Sequence, residues 1–239
     1  IVSIYLGVGQ NGIMSAAHKF STVYITLFSV FNMSWTESVS THINDKDIEK
    51  YFNDILNVSL KIVSAIGIGI IACMPFIYPV MIDDKFWNGF YQVPIMMVSS
   101  ILNVLVSMLA AIYIAKRETK TPAKIAVLAA IINIITHLIL IKFIGLYAAT
   151  ISTLLAYIAI LIHRLNDIKN KYFNIVIDRK MLIKTLLILI IVLTIYYANN
   201  MLLNIIGVLI VILYSYDLNS NIIKKIINII YKKMNQYRS

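Results

Sequence analysis

Charged residues are scarce in this sequence of 239 residues, since Asp, Glu, Lys and Arg make up only 13% of it. Soluble domains carry roughly a quarter charged residues and are about half apolar. Here the hydrophobic share is 60% and the mean hydropathy is +0.83. That balance leaves too little polar surface for a water-soluble globule, so the composition predicts an integral membrane protein.

Several sequence features of enzymes are also missing. Cys73 is the single cysteine, so no internal disulfide can form, and its apolar surroundings predict a buried thiol. The sequence contains neither a glycine-rich phosphate loop nor a His or Cys cluster with metal-ligand spacing. A membrane polymerase of glycans would need a large extramembrane loop rich in Arg and His, and every loop here is short. We therefore expect no enzyme activity, no catalytic residues, no cofactor and no metal.

Long apolar runs are what the chain does contain. Crossing a bilayer takes about 20 helical residues. The runs that qualify are 14–38, 60–82, 92–115, 123–142, 145–163, 182–198 and a shorter one at 201–216. The sequence thus predicts an all-α polytopic transmembrane helix bundle of six to seven spans. Gly145 and the pair Asn199 and Asn200 predict tight hairpins between neighbouring spans.

Basic residues are concentrated in alternate loops. They lie in 116–124, in 164–180 and in the tail from 217 onward, whereas the loops between these have little base. By the positive-inside rule the basic segments are cytoplasmic. The formal net charge of +10 is then explained by membrane topology, and nucleic acid is not an expected partner. Segment 44–56 and the tail are amphipathic, which predicts two helices lying on the cytoplasmic membrane surface in contact with lipids.

The first apolar run differs from the others because charged, aromatic and hydroxyl side chains interrupt it. A charge at the centre of a membrane helix costs about 2.5–3.5 kcal/mol on insertion scales, so ionisable residues within a span are functional candidates. The candidates for a substrate path are His18, Lys19, Tyr24, Trp35 and Glu37.

Two interpretations stay open for each charged candidate. Lys19 either snorkels to the outer headgroups or faces a cavity, ready for an anionic phosphate. Glu37 either lies at a solvated helix end beside Trp35, or is a carboxylate whose protonation couples transport to an ion gradient. Tyr24 lies on or near the helix face of Lys19, which makes it a candidate ring for stacking on a sugar.

The order of motifs along residues 5–170 resembles a known transporter family. "GIMSAAHKF", "SWTESVS", "YIAKRETK" and "IKFIGLYAATIST" follow one another as in the C-terminal half of Wzx-type flippases for O-antigen or capsular polysaccharide. These flippases form the polysaccharide branch of the multidrug/oligosaccharidyl-lipid/polysaccharide exporter superfamily. Met14 and His18 stand where such flippases commonly have Tyr.

The resemblance implies a protein of two facing six-helix bundles with a cationic cavity and alternating access. Residues 1–170 would be the C-terminal bundle of such a flippase, without its N-terminal half. Residues 171–216 would add two transmembrane helices, and 217–239 a basic amphipathic cytoplasmic tail. The opening residues "IVSIYLGVGQNG" favour this expectation because they resemble the end of an apolar element. A single bundle would supply only half of the cavity, so it is not expected to transport by itself.

The implied function is translocation of undecaprenyl-pyrophosphate-linked oligosaccharide repeat units across the bacterial inner membrane. The lipid-linked oligosaccharide would be the main partner, and a polysaccharide polymerase and chain-length regulator would be further ones. Within the same superfamily, a multidrug exporter or a peptidoglycan-lipid exporter is the alternative that the sequence leaves open.

Overall fold

The computed structural model describes the backbone of residues 1–236 and the side chains of residues 1–220. Within that part the chain is helical and contains no β-strand, which confirms the all-α prediction. The helices are α1 (Val2–Tyr5), α2 (Val8–His42), α3 (Ile48–Met81), a 3₁₀ helix (Asp84–Gln92), α4 (Val93–Ala115), α5 (Lys120–Ile144), α6 (Tyr147–Lys171), α7 (Arg179–Ala198) and α8 (Met201–Gln236).

Six of these helices are long and apolar enough to cross a membrane, so the protein is a multi-pass membrane protein. They are α3, α4 with the preceding 3₁₀ helix, α5, α6, α7 and the first 20 residues of α8. Helix α2, which contains the predicted span 14–38, is not one of the six although it has 35 residues. Its apolar run is interrupted by many Ser, Thr and Asn side chains.

Helix α4 lies at the centre of the bundle and packs against α2, α3 and α6. Helix α5 packs mainly on α6, and α7 and α8 pack on each other and on α3. The turn between α5 and α6 needs Gly145, whose φ of 53° and ψ of −126° are unfavourable for residues with a Cβ. Asn199 adopts the left-handed conformation between α7 and α8. Both predicted hairpins are thereby confirmed.

Two predicted surface helices are parts of longer helices instead. Residues 48–56 of the predicted segment 44–56 form the first turns of α3, which continues without a break through Pro75 and Pro79. Its apolar stripe packs inside the protein, where Phe52 and Leu56 are buried with Trp35. The prediction of a separate surface helix there was wrong, because this stripe has a protein partner. Helix α8 likewise crosses the predicted boundary at 217 unbroken, and the tail side chains after 220 lie outside the described residues.

Helix α6 continues to Lys171, eight residues beyond the predicted span 145–163. The sequence had indicated that Arg164 lies in a loop. In the structure it is part of this helix.

The chain then runs extended from 173 to 178, held by two asparagines of α3. Asn53 donates to the carbonyl of Asn174 at 2.9 Å and accepts from the amide of Val176 at 2.9 Å. Asn57 donates to the carbonyl of Val176 at 2.8 Å and accepts from the amide of Asp178 at 2.9 Å.

The contacts between loops define the two ends of the bundle. Loops 43–47, 116–119 and 172–178 lie at one end, which we call the basic end, because Lys116 donates to Asn44 there and Lys171 contacts Glu118. The 3₁₀ helix and the two hairpin turns lie at the opposite end, where Thr150 donates to Gln92 and Tyr196 donates to the carbonyl of Phe90.

Candidate functional site

A polar groove runs between α2 and α6, with α4 as its floor. Helices α2 and α4 run in the same direction, since Ser21 donates to the sulfur of Met97 near one end and Trp35 donates to the carbonyl of Met108 near the other. Helix α6 also packs on α4. It runs the same way, since Thr150 donates to Gln92 at one end and Asp167 accepts from Tyr113 near the other. The groove consists of two neighbouring cavities, and Ile25 lines both of them.

The cavity nearer the 3₁₀ helix, which we call the upper cavity, has a volume of about 80 Å³ and is lined by all three helices. Its hydroxyl and imidazole side chains are His18, Ser21, Ser99, Ser100, Thr150, Thr153 and Tyr157. Several of these hydroxyls are bonded within their own helices, as Thr153 is to the carbonyl of Ala149 at 2.8 Å. They stay in place without a ligand and keep lone pairs for one.

The lower cavity is larger, about 270 Å³, and lies between α2 and α4 toward the basic end. Ser29 and Asn32 of α2 face Asn103 and Ser107 of α4 there. The Oδ1 atom of Asn32 is buried and has no hydrogen-bond partner within the described part of the protein. A buried amide oxygen without a partner costs free energy, so this cavity favours a solute that can donate a hydrogen bond.

Lys19 and Glu37 lie together on one stripe of α2, which we call the outward stripe because it faces away from α4. Its exposed members are Ser15, Lys19, Thr22, Thr26, Val30, Met33 and Glu37. Lys19 and Glu37 are 18 residues apart, which is five helical turns or about 27 Å. Among the residues with described side chains, neither has an ion-pair partner.

The depth of these two charges follows from the register of α2 against α4. The bond from Trp35 to Met108 places Glu37 level with Ala110, five residues or about 8 Å inside the end of α4. Lys19 is level with the first turn of α4 at the opposite end. Both charges thus lie near the ends of the membrane-spanning bundle, and Glu37 is the deeper of the two.

The hydroxyls of α2 are weaker indicators of a sugar path than the sequence suggested. Thr22 donates to the carbonyl of His18 at 3.0 Å, Ser29 to that of Thr26 at 2.7 Å, and Thr36 to that of Asn32 at 2.8 Å. Such bonds satisfy the hydroxyl within its own helix, so it tolerates an apolar environment. His18 does line the upper cavity, with Nδ1 2.9 Å from the hydroxyl oxygen of Thr22.

Tyr24 and Trp35 are placed differently from the other candidates, because both are interior packing residues. Tyr24 is 1% exposed and its hydroxyl donates to the carbonyl of Val63 at 2.8 Å. Trp35 is 3% exposed, and its Nε1 donates to Met108 at 3.0 Å. In this structure neither ring can contact a solute in the groove, which disagrees with the role expected for them. Lys19, His18 and Glu37 remain candidates.

Sequence reasoning missed the groove residues of α4 and α6. A signal was present in both helices, since Ser99, Asn103 and Ser107 are spaced by four residues, and Thr150, Thr153 and Tyr157 by three and four. This spacing puts each set on one helix face. The sequence did not show that the two faces meet beside α2.

A cluster of charged and phenolic side chains joins α4, α6 and loop 116–119 at the basic end. Lys171 is 3.1 Å from Glu118 and 3.0 Å from Asp167. Thr121 and Tyr172 donate hydrogen bonds to the Glu118 carboxylate. These two bonds lower the pKa of Glu118 to about 2, and the bond from Thr121 has the larger effect. The cluster fixes the ends of these helices and holds no metal-binding group of His, Cys, Asp or Glu in the described residues.

Comparisons with protein-family models, with curated proteins and with solved structures gave no match to this chain.

Proposed function

We propose that this chain belongs to a flippase that moves polyprenyl-pyrophosphate-linked oligosaccharide repeat units across the bacterial inner membrane for O-antigen or capsule synthesis. The glycan would pass along the groove between α2, α4 and α6, while the polyprenyl tail stays in lipid. A peptidoglycan-lipid or multidrug exporter remains the alternative within the resemblance.

The observation that carries this proposal is the chemistry of the groove. Its lining combines hydroxyls, two asparagines, a histidine and a tyrosine inside a bundle that is otherwise apolar. Sugars are recognised by such hydrogen-bonding groups, whereas an apolar drug would be favoured by an apolar lining. The lack of any fixed charge in the two cavities suits a neutral glycan.

The outward stripe of α2 supports the same proposal. Glu37, about 8 Å inside the end of α4, cannot face hydrocarbon without a cost in free energy, whereas Lys19 is close enough to the other end to reach the headgroups. Water along this stripe, or a facing bundle, would remove that cost. A transporter with alternating access supplies both surroundings in turn.

Complementation tests the proposal directly. The gene that carries this sequence, in its full reading frame, is expressed in a strain lacking its own flippase and supplied with the cognate repeat-unit genes. We expect long-chain polysaccharide to return on a gel. We expect Asn32→Leu and Asn103→Leu to reduce it at unchanged protein level, and Asn170→Leu, an exposed position at the basic end, to leave it unchanged.

The outcomes separate the candidates. No long-chain polysaccharide from a well-expressed protein would contradict the flippase proposal. Restored resistance of that strain to toxic cations would then favour the multidrug exporter, and rescue of a strain depleted of its peptidoglycan-lipid flippase would favour the other alternative.

A further inference from the structure

Arg164 is a cation that the helix places inside the bundle with too few partners. It lies in α6 seven residues before the helix ends at Lys171, which is about 10 Å of helix. A cation at that depth usually snorkels outward to the nearer water. Arg164 does not, because side chains of a helix lean toward its N-terminus, and the N-terminus of α6 is at the opposite end.

The contacts of the guanidinium confirm that it reaches inward. Its Nη1 donates to the main-chain carbonyl of Val106 in α4. Val106 is nine residues, or about 14 Å, before the end of α4, deeper than Arg164 itself. The guanidinium carbon is also 5.9 Å from the ring centroid of Tyr113, within range of a cation–π contact.

The charge of Arg164 is not neutralised by the residues whose side chains are described. No carboxylate among them is within ion-pair distance of it. Asp167, one turn further along α6, instead accepts from the hydroxyl of Tyr113 at 2.9 Å and pairs with Lys171 at 3.0 Å. The Nε atom of Arg164 is buried and has no hydrogen-bond partner within this part of the chain.

Arg164 lines neither cavity of the groove but is close to both along its helix and through its acceptor. It is two helical turns from Tyr157, which lines the upper cavity, on the same face of α6. Its acceptor Val106 precedes Ser107, which lines the lower cavity. An unneutralised guanidinium with a free donor is suited to bind phosphate oxygens, because its planar fork can donate two parallel hydrogen bonds to them.

We propose that Arg164 binds a phosphate group of the transported lipid at the basic end of the groove, exchanging the carbonyl of Val106 for phosphate oxygens. The chemical class of ligand is a pyrophosphate diester that links a long-chain alcohol to a sugar, and undecaprenyl pyrophosphate is its glycan-free form. The identity of that lipid rests on the proposed function, whereas the phosphate contact itself does not.

Binding to the purified full chain in nanodiscs of phosphatidylcholine tests this inference. The probes are undecaprenyl pyrophosphate, inorganic pyrophosphate and undecaprenol. We expect undecaprenyl pyrophosphate to bind wild type, and Arg164→Met to weaken that binding about 10- to 100-fold, since hydrogen bonds to charged groups are lost. Undecaprenol should not distinguish the two proteins. Arg179→Met, at an exposed position of the same end, is the matched control and should change the affinity less than twofold.

The source of the phosphate is decided by two further arms. Competition by inorganic pyrophosphate at micromolar concentration would show that the anion alone suffices. Loss of the signal when phosphatidylglycerol is added to the nanodiscs would show that an ordinary anionic headgroup occupies the site, and would overturn the pyrophosphate assignment. Equal affinity of wild type and Arg164→Met, with Arg164→Met melting at a lower temperature, would make Arg164 a structural brace between α4 and α6 and would overturn the inference.

Arg164→Met is expected to fold, because an apolar side chain of similar length removes the desolvation cost of an unneutralised charge. If it does not, modification of wild type by phenylglyoxal replaces it. Undecaprenyl pyrophosphate should protect Arg164, but not Arg179, in peptide mapping. Equal modification with and without the lipid, or no reaction at Arg164 at all, would count against the site, since a pocket that admits pyrophosphate admits phenylglyoxal.

Failure of this inference and failure of the proposed function give different results. Pyrophosphate binding through Arg164 without complementation would support the phosphate site and contradict the flippase proposal. Complementation that is unchanged in Arg164→Met would support the flippase proposal and contradict the phosphate site.

Discussion

At the scale of single residues, the aromatic side chains of α2 act as anchors of that helix. Tyr24 and Trp35 each place one polar atom on a main-chain carbonyl of a neighbouring helix, Val63 in α3 and Met108 in α4. Burial of a tyrosine or tryptophan is favourable when its polar atom finds such a partner. The two bonds fix the register of α2 and hence which of its faces borders the groove.

Tyr24→Phe separates anchoring from substrate contact. We expect it to lower the stability of the protein in detergent by about 1 kcal/mol, because the carbonyl of Val63 loses a buried donor while the ring still packs. Transport per folded molecule should not change. Thermal melting and complementation check both statements, with Tyr216→Phe at an exposed position as control. A loss of transport without a loss of stability would restore Tyr24 as a substrate residue.

Glu118 makes the stability of the basic end dependent on pH. Its pKa is lowered to about 2 by the hydrogen bonds from Thr121 and Tyr172. A carboxyl group with a lowered pKa in the folded state stabilises the protein fully above its ordinary pKa near 4.5, and this contribution disappears as the pH falls from there toward 2.

We therefore expect Glu118→Gln to melt at a lower temperature than wild type at pH 7, and the difference to shrink steadily between pH 4.5 and pH 2.5. Melting curves over this range provide the measurement. Glu49→Gln, on the exposed first turn of α3, serves as the control for a general loss of one negative charge. A difference that stays constant down to pH 2.5 would show that the carboxylate does not contribute through its ionisation.

At the scale of elements, the linker between α6 and α7 shows how side chains can replace a neighbouring strand. Its residues alternate, with Phe173, Ile175 and Ile177 packed against the buried cluster around Phe52. On the other side, Asn53 and Asn57, four residues apart on α3, bond the main chain at alternate positions. The linker is ordered by this ladder of amides, which holds the start of α7 against α3.

Removal of each asparagine should speed hydrogen exchange at a different amide of the linker. In Asn53→Ala the exchange rate of the Val176 amide should rise about tenfold, and in Asn57→Ala the exchange rate of the Asp178 amide should rise first. The reason is that each lost hydrogen bond lowers the free energy of local opening by about 1 kcal/mol or more. Exchange followed by mass spectrometry or NMR of the two variants is the measurement, with Asn170→Ala as control. If both amides exchange equally in all three variants, the ladder does not hold the linker.

At the scale of the whole molecule, the protein presents two kinds of exposed surface. Helix α5 exposes a broad apolar face that includes Val127, Ile131 and Ile135, suited to lipid. Helix α2 exposes the outward stripe, in which Lys19 and Glu37 bracket two threonines, Val30 and Met33. A bundle with these two faces is suited to lipid on one side and to water or another bundle on the other.

Cysteine labelling in membranes tests this division. In a Cys73→Ser background, Thr26→Cys and Met33→Cys on the outward stripe should react with a membrane-impermeant maleimide in inside-out or right-side-out vesicles. Ile135→Cys on α5, also at an exposed position but on the face expected to contact lipid, should not. Labelling of Ile135→Cys at the same rate as the others, or of none of the three, would contradict a water-facing α2.

The amino-acid sequence by itself determined the fold class, the six apolar spans from α3 to α8 and the two hairpins, because each depends on a local property. A run of about 20 apolar residues must form a helix in lipid to satisfy its own backbone hydrogen bonds, and Gly145 marks a turn wherever it is placed. The placement of Lys19 and Glu37 on one face of α2 likewise follows from the helical period alone, because 18 residues are five turns.

Only the tertiary structure decided which polar residues meet. It removed Tyr24 and Trp35 from the path, since their bonds to α3 and α4 cannot be derived from spacing within α2. It placed Asn32 and Asn103 in the lining of one cavity although they belong to different helices. It also made Arg164 a residue of α6 whose guanidinium reaches inward, where the sequence had predicted a loop. Contacts between helices depend on register and rotation, which are fixed by the summed packing of the whole bundle and not by any one segment.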